Sequence, residues 1–501
     1  MLTLGPQKSP SAGAAVFLAL AWIAAAGHSP AAATTPAGAP ALPTYLGALA
    51  PGTLTSAIPT ISDPTQTWEL YLPQGFQPAR KWPVLILFDP RSRGKVAAEL
   101  FRQAADEFGW VLASSNNTMS DGPGDPNARA INATIPDVMK RLPIDEKRIY
   151  AGGFSGGAVL AWTVGLKGNY LAGVISIGGR PAPEHLALAP RFALFSAAGV
   201  GDFNYQPTRE LDSIAAKAGV PHRLEYFPGP HAWCPPETAR QAILWLEILA
   251  MRDGRTARDA ALIERTLAEE LAVAEALADG GDALAAGRKL SEISETFAGI
   301  AATEALDQAA SRARELLSSS AAKGSAKEEK AAEKYEGQAF RRIGEATAML
   351  RTAERPIAVG ELRHLLGVDE ALQRRASGGK AGAAAERALA ALQVHIGYYL
   401  TQDLFAASDY RRAVPGLSLV TEIFPDNSFM LYNLACAQAR SGLAEAALAS
   451  LGQALDRGLG QPLQIATDAD LAALRERPEF ARLLERARAL DSGKAAKPAV
   501  E

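Results

Sequence analysis

The sequence predicts a doubly wound α/β domain followed by an all-α helical domain, and three observations predict it. Strand-like runs alternate with helix-like runs from Thr67 to Leu249, as a parallel sheet wrapped by helices requires. From about Thr256 onward the chain is rich in Ala, Leu, Glu and Arg and poor in β-branched residues and proline, a composition that favours helix throughout. Near the end, Ala413 and Leu417 recur as Ala447 and Leu451, a step of 34 residues, the mark of stacked helical pairs.

In the first half, Thr67–Leu72 alternates polar and apolar residues as a half-buried strand does. Val84–Phe88 is a continuous apolar run closed by Asp89-Pro90, the pattern of a central strand covered on both faces. A helix follows over Ala97–Phe108, a strand over Trp110–Ser114, a polar loop over Asn116–Asn127, and a helix over Ile131–Leu142. Further strands are expected at Arg148–Phe154, Ala172–Ile177, Phe192–Ser196 and Arg223–Phe227, with Asp212–Ala218 helical between the last two. Ala242, Trp245, Leu246 and Leu249 make an i, i+3, i+4, i+7 stripe on a closing helix.

The expected division is a signal peptide over 1–33, a leader or linker over 34–65, the α/β domain over 66–252, a helical region over 253–400, helical repeats over 401–490 and a flexible tail over 491–501. The charged stretch near 320–337, with Lys327-Glu328-Glu329-Lys330, reads as a solvated helix or linker. Lys8 ahead of the small, apolar run Ala12–Ala26 suits a signal-peptide core, with Ala24–Ala26 or Ala31–Ala33 as the cleavage site. A periplasmic or secreted protein is expected. Fifty-one basic against 54 acidic residues give a net charge of −3, which excludes a strongly basic nucleic-acid binder. Cys234 and Cys436 lie far apart and lack metal-ligand spacing, so neither a disulfide framework nor a metal centre is expected, and no cofactor is implied. No apolar run is long enough for a membrane span in the mature chain.

The stretch that carries chemistry is Gly153-Phe154-Ser155-Gly156-Gly157, which fits G-x-S-x-G between a strand and a helix. A serine hydroxyl becomes a usable nucleophile when a tight turn projects it toward a base, and glycines flank it because a Cβ would crowd that turn. An acid and a histidine should follow in that order after later strands. Asp202 sits in the glycine-flanked loop Gly199–Phe203, and His231 lies in Pro228–Trp233 just past the last strand. Asp212 competes for the role of acid from the following helix. Cys234 beside His231 would suggest a thiol enzyme, but no separate turn and base present that thiol, which reads as packing. In this arrangement His231 takes the proton of Ser155, Asp202 orients the imidazole, and two backbone N–H groups hold the developing oxyanion. Gly156 is expected to give one, and Arg91 or Ser92 in the loop after Phe88 the other, Arg91 being preferred. Phe154 and Trp233 are candidates for the substrate pocket.

On these residues, with Gly153–Ala158, Gly201-Asp202 and Pro230–Trp233 followed by Pro235, the first half resembles the α/β-hydrolase superfamily, and within it the esterases related to polyhydroxyalkanoate depolymerases and feruloyl or acetyl-xylan esterases. Pro230 and Asp89-Pro90 stand where those esterases usually carry a glycine before the histidine and a His-Gly pair after the third strand. The last 80 or so residues resemble a tetratricopeptide domain, which implies protein binding or self-association. The resemblance implies a carboxylic ester hydrolase working through an acyl-enzyme on a small-molecule or polymeric ester. A serine peptidase on the same fold, and a non-catalytic binding or scaffold protein using its helical repeats, are the alternatives.

Overall fold

A computed structural model describes residues 50–120, 126–180, 188–355 and 357–493. The signal peptide expected over 1–33 and the last residues of the expected tail lie outside the described residues. The chain divides into two compact units, 1–326 and 327–501.

The first unit is built on an eight-stranded sheet. Its strands are β1 (Leu54–Pro59), β2 (Thr67–Tyr71), β3 (Trp82–Phe88), β4 (Val111–Ser115), β5 (Ile144–Phe154), β6 (Gly173–Ile177), β7 (Ala193–Gly199) and β8 (His222–Phe227). They lie in the order β1-β2-β4-β3-β5-β6-β7-β8. β2 runs antiparallel to its neighbours β1 and β4, and every pairing from β4 through β3 to β8 is parallel. This mixed, mostly parallel sheet with helices packed on it is the doubly wound α/β architecture the sequence predicts.

The helices are α1 (Gly94–Phe108), α2 (Asn127–Arg141), α3 (Gly156–Gly168), α4 (Tyr205–Lys217) and α5 (Pro236–Arg252). Alternate side chains of β3 feed opposite cores. Val84, Ile86 and Phe88 join Val138 of α2, Trp162 of α3 and Leu211 of α4. Leu85 and Leu87 join Phe101 of α1 and Trp245 and Leu246 of α5. The uninterrupted apolar run is therefore explained by burial on both faces.

Two expectations are corrected. The leader or linker assigned to 34–65 contains β1, which pairs antiparallel with β2. The boundary at 252/253 does not divide the chain, because α6 (Ala260–Asp279), α7 (Ala283–Thr296) and α8 (Thr303–Ser318) belong to the first unit. Leu244, Ile248 and Met251 of α5 share one core with Ile263 of α6, Leu290 and Ile293 of α7, and Ala309 of α8. Beneath it a charge cluster ties the last strand to these helices. Arg223 of β8 donates from Nη1 to Glu270 Oε1 at 2.9 Å and from Nε to Glu225 Oε1 at 2.7 Å. Its Nε lies 3.3 Å from Glu292, while Lys289 pairs with Glu270. Burial works against every charge here, yet Arg223 and Lys289 hold the Glu270 carboxyl below its usual range. The edge strand of the sheet is thus tied to helical structure.

The charged stretch near 320–337 lies within a continuous helix, Ser320–Thr352. The second unit is helical. The helices Tyr410–Ile423 and Ala444–Asp456 begin 34 residues apart, with Ser428–Arg440 between them. Ala413, Leu417, Ala447 and Leu451 are all buried. Asn427 caps the middle helix by accepting from the Met430 N–H at 3.1 Å. Among the described residues no helix is long and apolar enough to cross a membrane.

Candidate active site

β5 ends at Phe154 and α3 starts at Gly156, so Ser155 alone makes the turn. Its φ of 53° and ψ of −120° are strained for a residue with a Cβ. The surrounding glycines make that turn possible by admitting backbone. A Cβ on Gly153 would lie 2.3 Å from the Gly157 carbonyl, and one on Gly157 would lie 2.0 Å from the Phe88 carbonyl oxygen. The motif is therefore a contact between β3, β5 and α3.

The fold brings Ser155, Asp202 and His231 together from three loops at the carboxyl ends of strands. His231 Nε2 lies 2.9 Å from Ser155 Oγ, and His231 Nδ1 lies 2.7 Å from Asp202 Oδ1. Asp202 is fully buried and also accepts from the Asn204 N–H at 2.7 Å. Its Oδ2 has no hydrogen-bond partner among the described residues, so the imidazole and the Asn204 N–H carry the stabilisation of that carboxylate. Phe154 and Phe203 hold the imidazole from either ring, with centroids 4.6 and 4.2 Å from it. With a proton fixed on Nδ1 by Asp202, Nε2 is the nitrogen free to accept from Ser155.

The rival assignments fall elsewhere. Asp212, whose carboxyl is raised by burial, feels His222 rather than His231. Burial pushes the Cys234 thiol up to about 12, which leaves it protonated and unreactive at neutral pH. Phe154 is buried against His231, and Trp233 stacks beside Phe154 and Phe101. Both pack against the histidine loop, Phe154 buried and Trp233 partly exposed.

The oxyanion loop differs from the expectation most. Arg91 does not offer its N–H, because that group donates to Asp89 Oδ1 at 2.8 Å. The Ser92 N–H donates to the Thr118 carbonyl at 2.9 Å, so that residue is engaged as well. Gly156, by contrast, opens α3, and its N–H has no acceptor among the described residues.

Three contributors escape a reading of the sequence. Gly178, at φ 55°, leaves room where a Cβ would sit 2.8 Å from Asp202 Oδ2 and 3.2 Å from the His231 ring. Asn204 donates from Nδ2 to the Gly178 carbonyl at 2.8 Å. Asp89 is fully buried and accepts from Arg93 Nε and Nη2, both at 3.0 Å, and from Trp233 Nε1 at 2.9 Å. Burial raises its carboxyl, but Arg93, Trp233 and the Arg91 N–H outweigh that and hold it below the usual range. Asp89 thereby fastens the loop after β3 to the histidine loop. A glycine pair after a buried strand was the only signal for Gly178, and an acid before proline reads as a strand stop.

No protein-family model matches the chain, and no curated protein matches it. Solved structures similar to it include the S-formylglutathione hydrolase of Staphylococcus aureus, at 17% identity over 40% of this chain and 99% of that one, with a TM-score of 0.33. A fluorophosphonate-binding serine hydrolase of the same organism is 17% identical over 39% of this chain and 98% of that one, also at 0.33. A ferulic acid esterase is 17% identical over 38% and 94%, at 0.31.

Proposed function

We propose that the protein is a serine hydrolase that cleaves carboxylic esters through an acyl-enzyme. The observation that carries this reading is the unbroken chain from buried Asp202 through His231 to Ser155, at 2.7 and 2.9 Å, with the serine on a strained turn. Ser155 Oγ attacks the ester carbonyl while its proton passes to His231 Nε2. Asp202 stabilises the imidazolium without taking the proton. The imidazolium then protonates the leaving alcohol, and water enters by the same route in reverse. The Gly156 N–H donates to the oxyanion.

Pre-steady-state hydrolysis of p-nitrophenyl esters of increasing chain length, beside matched p-nitroanilides, tests this. An ester burst that disappears in Ser155→Ala and His231→Ala is expected, with the anilides at least tenfold slower. Faster anilide cleavage would favour a peptidase instead.

The signal peptide over 1–33 is proposed to export the chain, which fractionation and N-terminal sequencing of the mature protein would check. For the second unit we propose a tetratricopeptide-like role in binding a partner or a second copy. An open groove of about 520 Å³ there, lined by Phe424, Pro425, Asp426 and Phe429 among others, supports that reading.

A further inference from the structure

We propose that Asn204, backed by Thr208, is a positioning residue for the acid of the triad, an inference that rests on Ser155, Asp202 and His231 acting together in hydrolysis. Gly178 and Gly179 follow β6, and two glycines in succession give the main chain its widest choice of conformations. Freedom is costly at this place. The Ile177 carbonyl, one residue earlier, accepts the Ser155 N–H at 2.9 Å. Gly178 itself stands so close to the triad that a Cβ on it would lie 2.8 Å from Asp202 Oδ2 and 3.2 Å from the His231 ring. A change of conformation at Gly178 would therefore disturb the nucleophile and the acid together.

Two side chains where α4 begins remove that freedom. Asn204 Nδ2 donates to the Gly178 carbonyl and Thr208 Oγ1 to the Gly179 carbonyl, each at 2.8 Å. The two residues are four apart, hence on one face of the helix, and both are buried, Thr208 completely. Main-chain bonds complete the frame. The Asn204 N–H donates to Asp202 Oδ1 at 2.7 Å, the Asn204 carbonyl accepts the Thr208 N–H at 2.8 Å, and the Gly178 N–H donates to the Ala197 carbonyl at 2.7 Å. Asn204 thus holds the acid with its main chain and the glycine turn with its side chain.

Asp202 depends on this hold. Its Oδ1 serves both the Asn204 N–H and His231 Nδ1, while Oδ2 makes no hydrogen bond among the described residues. With one oxygen engaged, the orientation of the carboxylate follows the place where the Asn204 N–H is held. The side chain of Asn204 is also diverted from its local role. It is the N-cap of α4, where asparagine ordinarily accepts an N–H of the first turn, and it makes no such bond. The helix gives up a cap and the site gains a donor, so stability and activity should separate at this position.

The test compares wild type, Asn204→Ser, Thr208→Val and Thr208→Ser in the full chain, each titrated with a fluorophosphonate so that kcat refers to working sites. The readouts are p-nitrophenyl acetate turnover against pH, the melting temperature, and the low-field proton resonance of the His231 Nδ1–H bonded to Asp202. Asn204→Ser can cap α4 but does not reach Gly178. It should melt near the wild-type temperature and still lose on the order of 10- to 100-fold in kcat, as a slightly displaced catalytic group does, with KM within about twofold. A looser Asp202–His231 pair favours the imidazolium less, so the acid limb of the kcat/KM profile should move to lower pH and the resonance should broaden or vanish. Thr208→Val should change the same readouts less, and Thr208→Ser, which keeps the hydroxyl, should restore them. Wild-type kcat, acid limb and resonance in Asn204→Ser would overturn the assignment, whether or not the melting temperature falls. Should Asn204→Ser not fold, Thr208→Val against Thr208→Ser decides by the same readouts. A wild type that neither turns over the ester nor takes up the fluorophosphonate would overturn the hydrolase reading itself, an outcome distinct from an active wild type matched by Asn204→Ser.

Discussion

The glycines around the nucleophile and two helix glycines of the second unit sit in opposite surroundings. In the first, Gly153, Gly157 and Gly178 each occupy space that a Cβ could not enter without meeting backbone or a triad side chain, and a Cβ on Gly156 would meet the Ser120 side chain. In the second, Gly344 and Gly360 would meet nothing within 4 Å. The sheet unit assembles its site from side chains 76 and 29 positions apart, and it does so by letting main chains touch. The helical unit repeats a local step, in which the helices Tyr410–Ile423, Ser428–Arg440 and Ala444–Asp456 pack in sequence order, and at Gly344 and Gly360 a side chain would find open space. Chemistry that depends on tenths of an ångström falls to the place where main chains are packed in contact.

The sharpest way to break this comparison is Gly157→Ala. Its methyl would strike the Phe88 carbonyl, and a loss of about 3 kcal/mol in unfolding free energy is expected, together with loss of hydrolysis; denaturant titration with a parallel assay checks both. A near-neutral result would show that the elbow can relax, and that its main-chain contacts are not what limits substitution there.

Next in size is Arg223→Met, which leaves Glu270 and Glu292 facing only Lys289. Breaking a buried charge network from one side costs about 3 kcal/mol or more, so the melting temperature should fall clearly. Arg351→Ala in the helical unit removes an ion pair whose two side chains are half exposed, and it should cost less than about 1 kcal/mol. Equal effects would erase the distinction between buried and exposed charge pairs.

Asp89→Asn sharpens the account further. The folded Asp89 carboxyl sits below its ordinary value of 3.8, so its contribution to stability is present at neutral pH, above the unfolded pKa. That contribution is lost as pH falls through the folded value. The variant should therefore be less stable than wild type at pH 7, with the gap closing below about pH 4. Thermal melts across that range, with Trp233 near-ultraviolet circular dichroism, read it directly. Activity should fall by about tenfold through kcat, because the histidine loop loses its tie.

The smallest effect is expected at Gly344, inside the helix Ser320–Thr352. Gly344→Ala should stabilise the chain by about 0.5 to 1 kcal/mol, seen as a slightly higher melting temperature with unchanged hydrolysis.

How far the sequence could be read follows the same division. The central strands are legible because burial on both faces leaves continuous apolar runs such as Val84–Phe88. The positions of Ser155, Asp202 and His231 are legible because each ends a strand in a loop rich in glycine or proline. β1 is not, since Leu54–Pro59 is an edge strand, mostly only partly buried or exposed, and carries no clear alternation. The break expected at 252/253 follows a change in composition, but the core of α5 with α6 and α7 ignores it. Arg91 is plausible by position in the chain, and its N–H is lost to Asp89 two residues earlier, an Asx-type turn.

Active-site labelling with a fluorophosphonate, wild type against Ser155→Ala, tests the central claim most directly. Stoichiometric phosphonylation mapped by mass spectrometry to Ser155, and absent from the variant, is the predicted result. A well-folded wild type that stays unlabelled, or one labelled at another serine, would contradict it.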